Sequence, residues 1–567
     1  MPTPPILRSG LTLATALSLS GCAGLLAPNP AQLPPARGAT LAACGELPGS
    51  FRFAQTALGT ATLQPAGKLE LAGKPVGEHC LVTGRMHERV SPVDGQTYAI
   101  GFEMRLPRDW NGRFFYQGNG GLDGIIAPAV GAVSGGGPLT HALAQGFAVI
   151  SSDAGHNVKQ LPLFGLDPQA RLDYGYQAVA KLTPMAKALI AAAYGKGPER
   201  SYIGGGSNGG RHVLVAAARL PQEYDGFLAS APGLNLPKAA VAQLAGAQQF
   251  ARVASDPKDL ATALNAAERA LLARRILARC DALDGAADGL VEDVEACRGA
   301  FDLMRDVPSC AGSRDGSCLT PPQKTAIAHV FGGAHNSQGQ RLYAGFPYDP
   351  GLTYPDWADW KFKYSVTNRD PVAVGFVFAV PPAEPAMLKD TLGYALAFNL
   401  DRDAPKIFAR NATFTESAMA FMTPPDATRL DALRQRGAKL LVLHGNADPV
   451  FSVDDTAAWY DGLRAEHGRG TPDFARFFRV PGMGHVRGGP ATDQFDALGA
   501  LVAWVEQGRA PERLIASARG AGNPGGVNAE LPAGWSATRT RPLCPYPQVA
   551  RYNGSGSLEL ADSFTCR

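Results

Sequence analysis

What this chain has least of is an excess of charge of either sign. Its 53 Lys and Arg stand against 50 Asp and Glu, a net charge of +3. So even a balance leaves no electrostatic footprint for a polyanion, and nucleic acid is excluded as an expected partner. Charged residues make up only 18% of the chain and hydrophobic residues 45%, which excludes a disordered, self-repelling polymer. Long apolar runs are also missing: the stretch from Leu11 to Leu19 is too short to span a bilayer. Histidine is sparse and no C-x2-C pair occurs, so no zinc site is expected. No internal repeat is present. What remains, rich in Gly (66) and Pro (45) but not of low complexity, is a loop-rich globular protein. At 567 residues it is long enough for more than one compact unit, taking about 150 residues per domain.

Arg8 before the short apolar run reads as an export signal. The run ends in Leu19-Ser20-Gly21-Cys22, which resembles the bacterial lipobox, and on that reading 1–21 is a lipoprotein signal peptide and Cys22 a lipidated mature N-terminus. A signal peptide cut elsewhere is the alternative. Ala23 is not Asp, which favours the outer membrane. The expected location is therefore outside the cytoplasm, as an outer-membrane-anchored lipoprotein or a periplasmic or extracellular protein. Membrane contact is expected only through the lipid on Cys22. Residues 22–43, Pro/Ala-rich, form a linker. The remaining eight cysteines (Cys44, Cys80, Cys280, Cys297, Cys310, Cys318, Cys544 and Cys566) are an even set in an exported chain and predict disulfides. Roughly a hundred connectivities are possible; sequential pairing is the simplest, and the sequence does not choose.

Short apolar runs that end in Gly or Asp recur at 113–117, 147–153, 201–204, 226–231 and 439–444 and predict buried strands of a largely parallel sheet. Helical stretches lie between them, at 176–194 and 208–220. This alternation argues an α/β fold. From about Leu236 to Gly437 the pattern changes to helix-like runs, an acidic turn, two close Cys pairs and many Pro and Trp. The predicted organisation is thus an α/β unit in two parts, 44–235 and 438–567, interrupted by an inserted domain over 236–437.

Gly205-Gly206-Ser207-Asn208-Gly209 falls between a predicted strand and a predicted helix. G-x-S-x-G at such a junction forms a nucleophile elbow, a sharp turn that lifts the Ser hydroxyl above the sheet and sets the helix N-terminus beside a developing oxyanion. A Ser nucleophile needs a base and an orienter, and in this fold they follow in the order Ser, acid, His. Asp448, in His444-Gly445-Asn446-Ala447-Asp448, sits past the carboxyl end of a strand, where α/β sites collect. His485, in Pro481-Gly482-Met483-Gly484-His485, follows another strand. His444 and His156 are the runner-up bases.

Taken together, GGSNGGR at 205–211, HGNAD at 444–448, GMGH at 482–485 and SDAGH at 152–156 resemble the tannase and feruloyl esterase family, from about Cys44 to the C-terminus. The resemblance implies an α/β-hydrolase fold with a large inserted lid, and a carboxylic ester hydrolase with Ser207 as nucleophile, His485 as base and acid, and Asp448 as orienter. It implies an oxyanion hole from the N–H of Asn208 and that of Gly120 or Gly121, in Gly118-Asn119-Gly120-Gly121. Asp281, Asp284 and Asp288 can converge on a hard cation. In the family the matching loop binds calcium through these carboxylates and two backbone carbonyls, here of Ala286 and Leu290, so a structural Ca2+ is expected, with Cys280 and Cys297 bracketing the loop. Family members often bridge a Cys before the Ser to one after the His. Here Gly206 and Val486 stand there, so a member lacking the active-site disulfide is expected, its His485 loop held by packing alone.

The expected substrate is a small ester of an aromatic acid of feruloyl, galloyl or terephthalate-monoester type. Trp357, Trp360, Phe362, Phe376 and Phe378 are candidates to stack the acyl group. A terephthalate monoester wants an Arg for its free carboxylate, and 372–382 holds none. The alternatives are a peptidase, an aliphatic or polyester-oligomer esterase, or a catalytically inactive surface-binding lipoprotein. No oligomeric state is predicted.

Overall fold

The computed structural model describes residues 1–2, 34–133 and 141–567. The signal segment, Cys22 and the first part of the linker lie outside the described residues. The strands that build the central sheet are β1 (Thr56–Gln64), β2 (His79–Val90), β3 (Thr97–Pro107), β4 (Arg113–Gly118), β5 (Ala148–Ser152), β6 (Arg200–Gly206), β7 (Gly226–Ser230), β8 (Lys439–Gly445) and β9 (Ala475–Val480). The helices that matter for the site are α1 (Ala178–Tyr194), α2 (Asn208–Arg219), α3 (Leu236–Ala251), α4 (Ala266–Cys280), α5 (Pro321–Gly332), α6 (Val453–His467) and α7 (Ala497–Gln507).

Nine strands pair in the order β9-β8-β7-β6-β4-β5-β3-β2-β1. From β9 to β5 every pair is parallel, and β3, β2 and β1 add antiparallel. The parallel strands are covered on both faces, and β5 and β7 are buried along their whole length. That double coverage is why their sequences read as unbroken apolar runs. β1 alternates intermediate and exposed positions at the sheet edge, as a half-solvated antiparallel strand does. The architecture is the predicted α/β one.

Between β7 and β8 the chain makes a largely helical excursion containing α3, α4 and α5. α4 starts at a capping box in which Asn265 accepts from the Glu268 N–H and Glu268 accepts from the Asn265 N–H. A separate 3-10 turn at Leu260–Ala263 precedes it. The excursion packs on the carboxyl ends of the strands, the edge where a site of this topology forms. Among the described residues no helix is long and apolar enough to cross a membrane.

Candidate active site

β6 ends in Gly206 and α2 begins at Asn208, so the whole reversal falls on Ser207, which has φ 62° and ψ −126°. A non-glycine residue there is strained, and its surroundings must over-determine it. The neighbours explain why glycines flank it: a Cβ on Gly209 would lie 2.3 Å from the Gly118 carbonyl oxygen, and one on Gly205 would lie 2.7 Å from it. β4 and the elbow are in backbone contact that any side chain would break. The predicted elbow is formed.

His485 Nε2 stands 2.9 Å from Ser207 Oγ, and His485 Nδ1 stands 2.9 Å from Asp448 Oδ2. The three residues, far apart in sequence, meet in a chain of hydrogen bonds with the geometry of a nucleophile, a base and its orienter. Asp448 also accepts from the Val450 and Phe451 N–H groups at 2.7 and 3.1 Å. Burial alone would raise its pKa, but His485 and His444 hold its carboxylate well below the usual range, so it stays ionised. His444, the runner-up base, is engaged elsewhere: its Nε2 lies 3.1 Å from Asp448 Oδ2 and its Nδ1 2.9 Å from Thr456 Oγ1. It is a second imidazole on the same acid, reached from β8.

Gly120 is beside the nucleophile, its Cβ position 3.9 Å from Ser207 Cβ. Gly121 instead carries a positive φ of 67° and its carbonyl accepts from Tyr174 at 3.1 Å. The geometry favours Gly120 over Gly121 as the partner of the Asn208 N–H in an oxyanion hole. His156, the other runner-up base, sits beneath this loop: its Nε2 is 2.8 Å from the Leu122 carbonyl and its ring stacks on Phe164 at 3.6 Å.

Sequence reasoning missed Asp123. Its Oδ2 is 2.9 Å from both Asn208 Nδ2 and His212 Nε2, so one buried carboxylate ties the oxyanion loop to the first turn of α2. Burial pushes its pKa up to about 8, opposed by Arg211 and the Asn208 amide. Asp123→Ala is expected to cut kcat by about tenfold to a hundredfold with little change in KM, because it loosens donors that act on the transition state. Steady-state kinetics beside a melting curve check this.

A model of the tannase and feruloyl esterase family matches residues 80–567. The chain belongs to this family. It is 39% identical over 550 residues to the mono(2-hydroxyethyl) terephthalate hydrolase of Piscinibacter sakaiensis, covering 90% of this chain and 89% of that one. It is 30% identical over 484 residues to a probable feruloyl esterase B of Emericella nidulans, covering 82% and 83%. Among solved structures, feruloyl esterase B from Aspergillus oryzae superposes with a TM-score of 0.72 at 22% identity, covering 92% of this chain and 99% of that one. That likeness shows the shared fold. With these relatives, the chain is a carboxylic ester hydrolase of the serine type, with small-molecule esters as substrates.

One expectation about this family member is corrected. It was to be set apart by a missing bridge at the site, with the His485 loop held by packing alone. Among the described residues the chain forms four disulfides, Cys44–Cys80, Cys280–Cys297, Cys310–Cys318 and Cys544–Cys566, and two of them lie in segments that touch the strand and turn leading to His485. Cys544–Cys566 staples the C-terminal strands, from which the Tyr546 N–H donates to Phe477 of β9 at 2.7 Å, just before the loop. The Cys280–Cys297 loop brings Leu290 against Gly482, with 3.4 Å between its Cδ2 and the Gly482 Cβ position. Hydrogen bonds complete the frame: Gly482 N–H to Asp349 at 3.2 Å, Gly488 N–H to Asp493 at 2.8 Å, and Asn528 Nδ2 to the Gly489 carbonyl at 2.8 Å. Four disulfides also fit an exported protein in an oxidising compartment.

In the acidic loop Asp284 Oδ2 is buried with no hydrogen-bond partner among the described residues. Asp281, however, accepts from the Asp288 and Gly289 N–H groups at 2.9 and 3.0 Å, and Asp288 is ion-paired with Arg541. The Ala286 and Leu290 N–H groups are spent on Asp284 and Asp288. Among the described residues no three acidic or imidazole side chains are gathered as a ready metal cage.

Of the five aromatics expected to stack an acyl group, only Trp360 reaches the site. Its ring is 5.2 Å from that of His485, edge-on. Trp357, Phe362, Phe376 and Phe378 are buried in the core, and Phe362 packs on Phe250 and Trp357. Phe451, not singled out from the sequence, takes the other flank at 5.5 Å from the His485 ring. Over both flanking rings lies Arg369, its guanidinium carbon 4.6 Å from the Trp360 centroid and 5.6 Å from that of Phe451. Its Nη1 is buried without a hydrogen-bond partner among the described residues.

Proposed function

We propose that the enzyme cleaves monoesters of aromatic dicarboxylic acids of the terephthalate type through a Ser207 acyl-enzyme. One observation carries the substrate: the buried Arg369 Nη1, without a hydrogen-bond partner among the described residues, beside two aromatic rings packed on His485. A buried Arg N–H without an acceptor is costly, and a planar carboxylate is its natural complement. Trp360 and Phe451 would hold the ring, Arg369 the free carboxylate, and the ester carbonyl would lie toward Ser207. The Piscinibacter relative, a mono(2-hydroxyethyl) terephthalate hydrolase, supports this reading.

In the proposed reaction Ser207 Oγ attacks the ester carbonyl as His485 Nε2 takes its proton, and Asp448 steadies the resulting imidazolium. The Asn208 and Gly120 N–H groups stabilise the oxyanion. His485 returns the proton to the departing alcohol, and water, deprotonated by His485, then releases the acid. A panel of a terephthalate monoester, methyl ferulate, methyl gallate and p-nitrophenyl butyrate, ranked by kcat/KM, tests the assignment. The monoester should lead, and methyl ferulate or the butyrate leading would overturn it.

Calcium belongs to the proposal as a structural ion on the 281–290 loop. Its support is the orphaned Asp284 oxygen and that group's pKa, pushed up to about 7 by burial and then by Asp288 and Asp281. A divalent cation would relieve both. The Asp281, Asp284 and Asp288 carboxylates with the Ala286 and Leu290 carbonyls would hold it. Since an ion bound only by the native loop stabilises it, EDTA should lower the melting temperature, and calcium at a hundredfold excess over Kd should restore about 2.7 kcal/mol. Identical melting curves for metal-free and calcium-loaded protein would remove the ion from the proposal. Anchoring to the outer membrane through Cys22 stays with the lipobox resemblance, and radiolabelled palmitate incorporation that Cys22→Ala abolishes is its check.

A further inference from the structure

Away from Ser207, the helical excursion holds a cavity of about 190 Å³ that no triad residue lines. Ala242, Ala245 and Gly246 of α3 form one wall, and Val330 and Phe346 stand opposite. Lys361 also lines it, on the helical turn where the preceding residue, Trp360, faces His485. Lys361 is only 5% exposed. Among the described residues its Nζ makes one hydrogen bond, to Gln243 Oε1 at 3.2 Å, and rests 3.9 Å from the Phe346 ring centroid. An ammonium has three donors. A buried cation with donors to spare, at the wall of a mainly apolar cavity, is half of an ion pair.

We propose that this cavity is a second ligand site, for a small monocarboxylate about one aromatic ring in size. The carboxylate pairs with Lys361 Nζ and the ring lies against Ala245, Gly246 and Phe346. Benzoate is one member of that class, and the site does not depend on the ester reading. Burial pushes the Lys361 amine down to about 7, with Asp448 and Asp370 opposing, and a carboxylate partner favours its charged form. The position is close to the catalytic acid: Gln243 Nε2 donates to the Pro449 and Val450 carbonyls at 3.0 and 2.8 Å, in the turn directly after Asp448. A smaller cavity lined by Lys361, Asn446 and Asp448 adjoins it.

The test is benzoate titration by calorimetry on protein whose Ser207 has been labelled with a fluorophosphonate, so that the ester pocket is filled. One saturable site per chain is expected, with benzamide at least tenfold weaker because it lacks the charge. Gly246→Leu should weaken benzoate at least tenfold: a Cβ there meets its nearest neighbour, Val330 Cγ2, at 3.8 Å, so the side chain enters the cavity without a backbone clash. Lys361→Met should do the same, and the Gly246 variant decides if that protein does not fold. No saturable binding to labelled protein, equal affinity for benzamide, or unchanged affinity in Gly246→Leu would each overturn the site. Failure of Ser207 to label would be a failure of the ester reading instead. The titration then runs on unlabelled protein, with Gly246→Leu deciding.

Discussion

Ser207→Ala is expected to lower kcat on an activated aryl ester by about four to six orders of magnitude, with KM and the melting temperature nearly unchanged. The size follows from the geometry. His485 Nε2 is 2.9 Å from Ser207 Oγ, and without that oxygen no covalent intermediate forms. The residual rate is what the oxyanion donors and binding supply to water attack. Stability should hold because Ala keeps the backbone at φ 62° with no worse strain than Ser and removes one half-satisfied hydroxyl. His485→Ala should fall nearly as far, and the double variant little further, because the pair acts as a unit. Stopped-flow release of p-nitrophenol reads all three. Turnover of Ser207→Ala within tenfold of the parent would end the acyl-enzyme reading.

The second large effect separates substrates. Arg369→Gln should lower kcat/KM for a terephthalate monoester by about a hundredfold, which at 1.36 kcal/mol per decade is about 2.7 kcal/mol. For a neutral ester such as methyl benzoate the loss should stay within a few-fold. A guanidinium that pairs with the distal carboxylate loses a charge-assisted contact only when that carboxylate is present. One that merely packs on Trp360 and Phe451 would affect both esters alike. Equal losses on the two substrates would therefore return Arg369 to a structural role. Lys in its place should recover part of the rate through charge alone, but not the planar pairing.

The triad was legible because its chemistry leaves local marks. An elbow needs glycines on either side of the Ser, and the acid and the base each follow a buried strand, so composition and order point to Ser207, Asp448 and His485. The six parallel strands were legible for the same reason: burial on both faces writes a continuous apolar run. β1, β2 and β3 were not: polar and charged residues interrupt their apolar positions, and Thr56–Gln64, half-exposed at the sheet edge, alternates weakly. Asp123 and Arg369 left no mark either. Each is an ordinary charged residue in a loop or turn, and what makes it functional is a partner distant in sequence, or the want of one.

Sequence by itself determined the α/β class, the elbow, the order of the catalytic residues and an even set of eight cysteines in an exported chain, because each depends on residue type and near neighbours. Tertiary structure alone decided that His444 shares Asp448 with His485 and that Gly120 rather than Gly121 flanks the nucleophile. It also decided that two disulfide-bonded segments touch the strand and turn leading to His485, and that four of the five expected aromatics belong to the core. Those facts depend on which segments, distant in sequence or folded back on one another, meet in three dimensions, and no local pattern encodes such a meeting.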